Sequence, residues 1–150
     1  MIVNIIENSN INETKINIEC KKTDEKIIKL ISLIKNMDNN EKIIGINNGE
    51  TYCLNPNDIL YFEAVDRKTF CYTEDGIFEI AMKLYEIEDK YKEKSYLRIS
   101  KSFVLNLDRV KSIKPEIDGK MLATMDNGEK IYISRQYVPL FKKKIGIGGK

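Results

Sequence analysis

Arginine, lysine and serine are the side chains that hold phosphate oxygens, the cations by charge and the hydroxyls by direction. Residues 97–110, LRISKSFVLNLDRV, set Arg98, Ser100, Lys101, Ser102, Asn106 and Arg109 among Leu97, Ile99, Phe103, Val104 and Leu105. An apolar frame that presents donors of this kind suits a nucleic-acid backbone. Taken alone, however, the run reads more readily as the ordinary solvated flank of a strand, so the rest of the chain has to decide.

Charge supports the first reading by its distribution rather than its sum. The net charge is only +2. Between Arg98 and Lys114, however, Arg98, Lys101, Arg109, Lys111 and Lys114 face the single acid Asp108, and Lys142, Lys143 and Lys144 follow near the end. Acid gathers instead at Glu86, Glu88 and Asp89, a local asymmetry of the sort phosphate binding uses. The chain has no histidine, which removes the usual general base and the usual imidazole ligand. Cys20, Cys53 and Cys71 are too far apart for a thiolate metal site and are expected to be buried thiols. With no glycine-rich phosphate loop and no convergent carboxylates, the chain is expected to be no enzyme and to carry no metal or cofactor.

With 150 residues, 42% hydrophobic and 32% charged, the chain has room for one core and a small appendage. No apolar run approaches the roughly 20 residues of a membrane span, and MIVNIIENSNINETK lacks the features of a secretory signal. No direct membrane insertion and a cytoplasmic location are therefore expected.

Periodicity predicts two short strands, Ile2 to Ile6 and Lys15 to Cys20, then a helix from Thr23 to near Met37 with Ile27, Leu30, Ile31 and Ile34 on one face. The polar break at Asp38, Asn39, Asn40 and Glu41 marks a domain boundary. Beyond it, strands are predicted at Ile43–Asn47, Glu50–Leu54, Ile59–Val65, Thr69–Thr73, Ile77–Ala81, Phe103–Leu105, Val110–Pro115, Lys120–Met125 and Lys130–Ile133. Asn48-Gly49, Asp75-Gly76, Asp118-Gly119 and Asn127-Gly128 serve as turns. Helices are predicted at Met82–Lys92 and Ser134–Lys144, the second with Tyr137, Leu140 and Phe141 inward, before a disordered tail at 146–150. Tyr61, Phe62, Phe70 and Tyr72 are assigned to core packing rather than base stacking, and Phe103 to the core as well. Asn106 either ties down a turn or touches DNA, and Glu63 is structural, orienting a neighbouring cation.

From residue 42 to 145 the chain resembles the LytTR family of bacterial DNA-binding transcription regulators. The landmarks run in order: Ile59-Leu60-Tyr61-Phe62-Glu63, then Arg67-Lys68-Thr69 with Tyr72, Thr73, Asp75 and Gly76, then Leu97 through Asn106, then Val110 and Ile113, and finally Ile133-Ser134-Arg135. The resemblance implies a mainly β fold with short helices, an elongated set of small antiparallel sheets, here preceded by a ββα extension over residues 1–40. It also implies loops that enter major grooves, whose base edges carry the full donor and acceptor code, and two protomers reading paired repeats as a homodimer.

Carried over position by position, the resemblance puts DNA contacts at Arg67, Lys68 and Thr69, at Ser100 and Lys101 helped by Arg98 and Ser102, and at Arg135 with Gln136. Lys101 and Thr69 depart from the side chains some relatives carry there. Lys142, Lys143 and Lys144 are added as phosphate contacts on electrostatic grounds. A receiver domain takes about 120 residues, which residues 1–40 cannot hold, and the resemblance suggests a small membrane protein as a controlling partner instead. Two functions stay open: a sequence-specific double-stranded DNA-binding regulator, and a protein-interaction module of a membrane-associated signalling pair.

Overall fold

The computed structural model describes residues 1–37, 41–92 and 94–147. It divides into two units, Met1–Asn39 and Asn40–Lys150. The predicted break at Asp38, Asn39 and Asn40 lies outside the described residues.

In the first unit, helix α1 spans Glu25–Met37. Asp24 caps it, its Oδ1 accepting from the Ile27 N–H at 3.0 Å, which meets one of the donors a helix start leaves open. Ile27, Leu30, Ile31 and Ile34 form its half-buried face, as their spacing predicts. The two strands predicted ahead of it are absent from the described residues, so the extension is not ββα. Ile2, Val3, Ile5 and Ile6 lie exposed. An isolated two-stranded hairpin is only marginal in water, and a strand with no buried face has nothing to fix its register.

The second unit is built on one seven-stranded antiparallel sheet, ordered β2-β1-β5-β4-β3-β7-β6, and one three-stranded sheet, β10-β9-β8. The strands are β1 Ile43–Asn47, β2 Glu50–Leu54, β3 Ile59–Val65, β4 Lys68–Thr73, β5 Ile77–Ile80, β6 Tyr96–Arg98, β7 Phe103–Asn106, β8 Val110–Pro115, β9 Met121–Met125 and β10 Lys130–Ile133. The expected set of several small sheets is thus two, because β3 pairs with both β4 and β7 and joins the hairpins on either side. The unpredicted strand is β6, too short at three residues for alternation to reveal it.

Strand β3 is buried on both faces and sets the layers. Ile59 and Phe62 pack with Cys71, Phe78, Leu84, Ile87, Tyr96 and Val104 on the side covered by α2, Leu84–Lys90. Leu60 and Tyr61 pack with Leu97, Ile99, Leu105, Ala123, Met125, Ile133 and Phe141 on the side covered by the small sheet and α3, Val138–Ile145. A register shift between Ile59 and Tyr61 lets two successive residues turn to the same side. Three layers around a doubly buried sheet follow from this pattern.

The predicted helix from Ser134 becomes a 3₁₀ turn, Arg135–Tyr137, followed by α3, with Pro139 in its first turn where a missing N–H costs nothing. That later start puts Val138, Phe141 and Ile145 on the inner face and leaves Leu140 49% exposed, against expectation. Gly146 closes the helix in the left-handed region, φ +81°, and the Gly146 and Ile147 N–H groups both donate to the Lys142 carbonyl at 3.0 Å. Gly146 and Ile147 thus form the cap of the helix, and the rest of the predicted tail lies outside the described residues. Of the three cysteines only Cys71 is buried; Cys20 and Cys53 are exposed, Cys53 because β2 is an edge strand with little covering either face.

Candidate nucleic-acid interface

The turn after β6 is organised by Arg98. Its Nε donates to the Ser100 carbonyl at 2.8 Å, its Nη2 to the Lys101 carbonyl, and its Nη1 to Glu88 Oε2 at 3.0 Å. All three donating nitrogens of this guanidinium are engaged within the protein, and the acid expected to lie apart from the basic run is brought against it through Glu88. Ser100 Oγ accepts from the Ser102 N–H at 3.2 Å, and the Ser102 carbonyl accepts from Ala64 at 2.9 Å. What the braced turn presents outward is Lys101, exposed and without an ion pair among the described residues.

The second feature is the β3–β4 hairpin. Val65 pairs with Lys68, so the tip is Asp66-Arg67, and Lys68 and Thr69 belong to β4 rather than to the predicted turn. Asp66 and Arg67 have φ of +49° and +68°, the left-handed pair of a type I′ turn that favours Asn-Gly. An L-residue in that region costs about 1–2 kcal/mol, and strain of this kind gathers where function requires a particular side chain. Arg67→Gly is expected to raise the thermal midpoint while weakening DNA binding; if both fall together, Arg67 is a structural residue. Thr69 is 3% exposed, wedged between Ala64 and Ile80 of the neighbouring strands, and forms wall rather than tip.

These two features meet. A cleft of about 220 Å³ is lined by Arg67, Lys68, Thr69, Arg98 and Lys101 together with Ala64, Lys83, Leu84 and Tyr85. The first predicted contact group and, from the second, Arg98 and Lys101 therefore share one basic concavity, which Ser100 and Ser102 do not line. Lys83 escaped the sequence reading; its signal is its place just before α2, where Ser, Thr, Asp or Asn would ordinarily cap the helix.

The third group joins through the backbone. The Ser134 N–H donates to the Ile99 carbonyl at 2.9 Å, so Ser100 and Arg135 each stand one residue from a bonded pair. Arg135 and Gln136 are exposed, and the Arg135 stem lies over Gly119, where an added Cβ would come within 2.9 Å of Cδ. Lys142, Lys143 and Lys144 are exposed in the last turn of α3, where positive charge also favours a helix carboxyl end.

Other polar residues support the frame. Asn106, 3% exposed, donates through Nδ2 to the Ile59 carbonyl at 2.7 Å and accepts from the Asp108 N–H at 3.1 Å, which assigns it to the turn. Arg109 hydrogen-bonds Glu74 at 2.8 Å and pairs with Asp126 at 3.2 Å, clipping the β4–β5 turn to the small sheet. Glu63 accepts from the Tyr72 hydroxyl at 2.5 Å rather than orienting a cation, and Tyr72 stacks on Tyr61 with ring centres 4.2 Å apart.

Burial first, and the Glu63 carboxylate second, push the Tyr72 hydroxyl up to about 12. Burial pushes the Cys71 thiol up to about 12 as well. Both groups stay neutral in the fold at a pH where the unfolded chain has lost their protons. The stability they lend is therefore intact below their ordinary values, 9.0 and 10.0, and lost as pH rises through 12. Denaturation midpoints should fall between pH 9 and 12, and Tyr72→Phe should flatten that fall.

The family model described as the LytTr DNA-binding domain matches residues 49–146. The chain belongs to that family. Among solved structures, the LytTr domain of a putative methyl-accepting/DNA response regulator from Bacillus cereus superimposes with a TM-score of 0.68 at 27% identity, covering 71% of this chain and 98% of its own. Uncharacterized HTH-type transcriptional regulators of Staphylococcus aureus strains NCTC 8325 and N315 are each 24% identical over 147 residues, 98% of this chain and 99% of theirs. In this LytTr domain the basic cleft sits on strand ends and turns. Its helices α2 and α3 are separated by five strands rather than by a single turn.

Proposed function

We propose that the protein is a sequence-specific regulator of transcription that reads double-stranded DNA through the major groove with its turns. The observation that supports this most is the joining of the three basic groups: Arg67 and Lys68 with Lys101 in one cleft, and Arg135 linked to the same turn through the Ser134 to Ile99 hydrogen bond. Arg and Lys reach guanine edges by paired hydrogen bonds, while Arg98 and Ser102 hold the turn in place and Ser100 and Gln136 add polar contacts. Lys142, Lys143 and Lys144 are assigned to flanking phosphates. The staphylococcal relatives' name as transcriptional regulators supports the same reading.

Residues 41–145 form the DNA-binding part on this reading, and residues 1–40 serve pairing. The exposed Ile2, Val3, Ile5 and Ile6 favour association with a second copy, as two protomers on paired repeats require; a small membrane protein is the other occupant the reading allows. The protein acts in the cytoplasm, where its DNA is.

The test is binding of the purified chain to a labelled duplex from upstream of its own gene, against duplexes enriched by the chain from a randomised pool and a scrambled control, over a salt series. Preference for an upstream or enriched sequence, with affinity falling steeply as salt rises, is expected. Equal, weak binding to all sequences, or none at low salt, would turn the assignment toward a protein-binding module.

A further inference from the structure

We infer that Lys83 is a positioning residue for Arg67, holding the hairpin tip in its left-handed form before DNA arrives. The inference rests on the DNA-reading function proposed above.

Lys83 occupies the N-cap of α2, yet its side chain makes no cap there. A cation at a helix amino end also opposes the helix dipole. Local structure therefore gives no reason for lysine at this place. Its ammonium instead crosses to another element and donates to the Arg67 carbonyl at 2.9 Å. Tethering an exposed lysine costs side-chain entropy, and here the tether lands on a backbone group that needs it. The Arg67 carbonyl belongs to the peptide plane between Arg67 and Lys68, so fixing it fixes Arg67 ψ and Lys68 φ together. Those two torsions help aim the Arg67 and Lys68 side chains, two of the cations that line the cleft. Arg67 sits at φ +68° without the freedom glycine would have; a donor outside the hairpin counters its tendency to relax. A group preset in its bound geometry loses less freedom on binding.

Position and direct contact are separable. An ammonium has three donors, and a Lys83 that touched a DNA phosphate on its own account would contribute independently of Arg67. A Lys83 that works through Arg67 would contribute nothing once the Arg67 side chain is gone.

The experiment uses the full chain and a duplex that the chain itself enriches from a randomised pool. Lys83→Met, Lys83→Arg, Arg67→Ala and the Lys83→Met/Arg67→Ala double variant are compared over a salt series. Lys83→Met is expected to weaken binding about tenfold with the salt slope nearly unchanged, Lys83→Arg to restore most of it, and Lys83→Met to have no further effect in the Arg67→Ala background. Equal weakening in both backgrounds, with the slope reduced by about one, would make Lys83 a phosphate contact and overturn the inference; so would unchanged binding.

A second readout needs no DNA. Backbone ¹⁵N order parameters at Asp66, Arg67 and Lys68 should fall in Lys83→Met and recover in Lys83→Arg, while the thermal midpoint stays put. Unchanged order parameters would overturn the latch whatever the binding data show. Failure of the wild-type chain to enrich any duplex would defeat the proposed function alone, and the order parameters would still decide whether the latch exists.

Discussion

Replacing Phe62 by alanine is expected to cost the DNA-binding unit about 3–5 kcal/mol, the range for truncating a fully buried aromatic. Phe62 is 0% exposed in the doubly buried strand, with Cys71 opposite it in β4 and Val104 opposite it in β7. Its ring meets Tyr96 edge-on, with centres 5.2 Å apart. Neighbours on three elements cannot all close into the space, so the cavity term adds to the lost burial. Against a total stability of about 5–15 kcal/mol for a domain, the variant would be marginal or unfolded. Phe103, expected from the sequence to anchor the body, is only half-buried at the flank of Tyr61, and Phe103→Ala should cost clearly less. Equilibrium denaturation of the two variants checks this ordering; a larger loss at Phe103 would mean that the central strand is misassigned.

Lys101→Ala and Arg135→Ala should each weaken specific DNA binding by about 1–3 kcal/mol, roughly five- to 150-fold. The thermal midpoint should barely move. Both side chains are exposed and neither has an ion pair among the described residues, so the fold loses little with them. Arg98→Ala makes the contrast. Removing that guanidinium strips the bonds to the Ser100 and Lys101 carbonyls and to Glu88, so stability and binding should fall together. Binding titrations on an enriched duplex, paired with melting curves, separate the two behaviours. Lys101→Ala that melts early without losing affinity would contradict its assigned role.

Most strands are legible in the sequence because their turns are marked by glycine after Asn or Asp: Asn48-Gly49, Asp75-Gly76 and Asn127-Gly128 all fall between paired strands. The hairpin that matters most to the site lacks that mark. Asp66-Arg67 turns the chain with no glycine, so the sequence pattern points to a turn at Arg67, Lys68 and Thr69, one residue beyond the true tip, and gives no sign that Thr69 is buried. The extension fails for the opposite reason. Ile2 to Ile6 has strand composition, but composition says nothing about whether a pairing edge is present. Side-chain roles were least legible. Arg98 and Lys101 look alike in sequence, and only the carbonyls around the Arg98 guanidinium distinguish a brace from a contact.

The hydrogen bond from Ser134 to Ile99 ties together segments that lie far apart along the chain and directly follow strands of different sheets, β10 and β6. On the DNA-reading function proposed here, its consequence is a ruler. The step along the duplex between what Lys101 reads and what Arg135 reads is set by that junction and not by either segment alone. Base identities can then drift by exchange of single side chains at the two ends, whereas the number of base pairs between them is a property of the scaffold, inherited unchanged unless the junction itself is rebuilt.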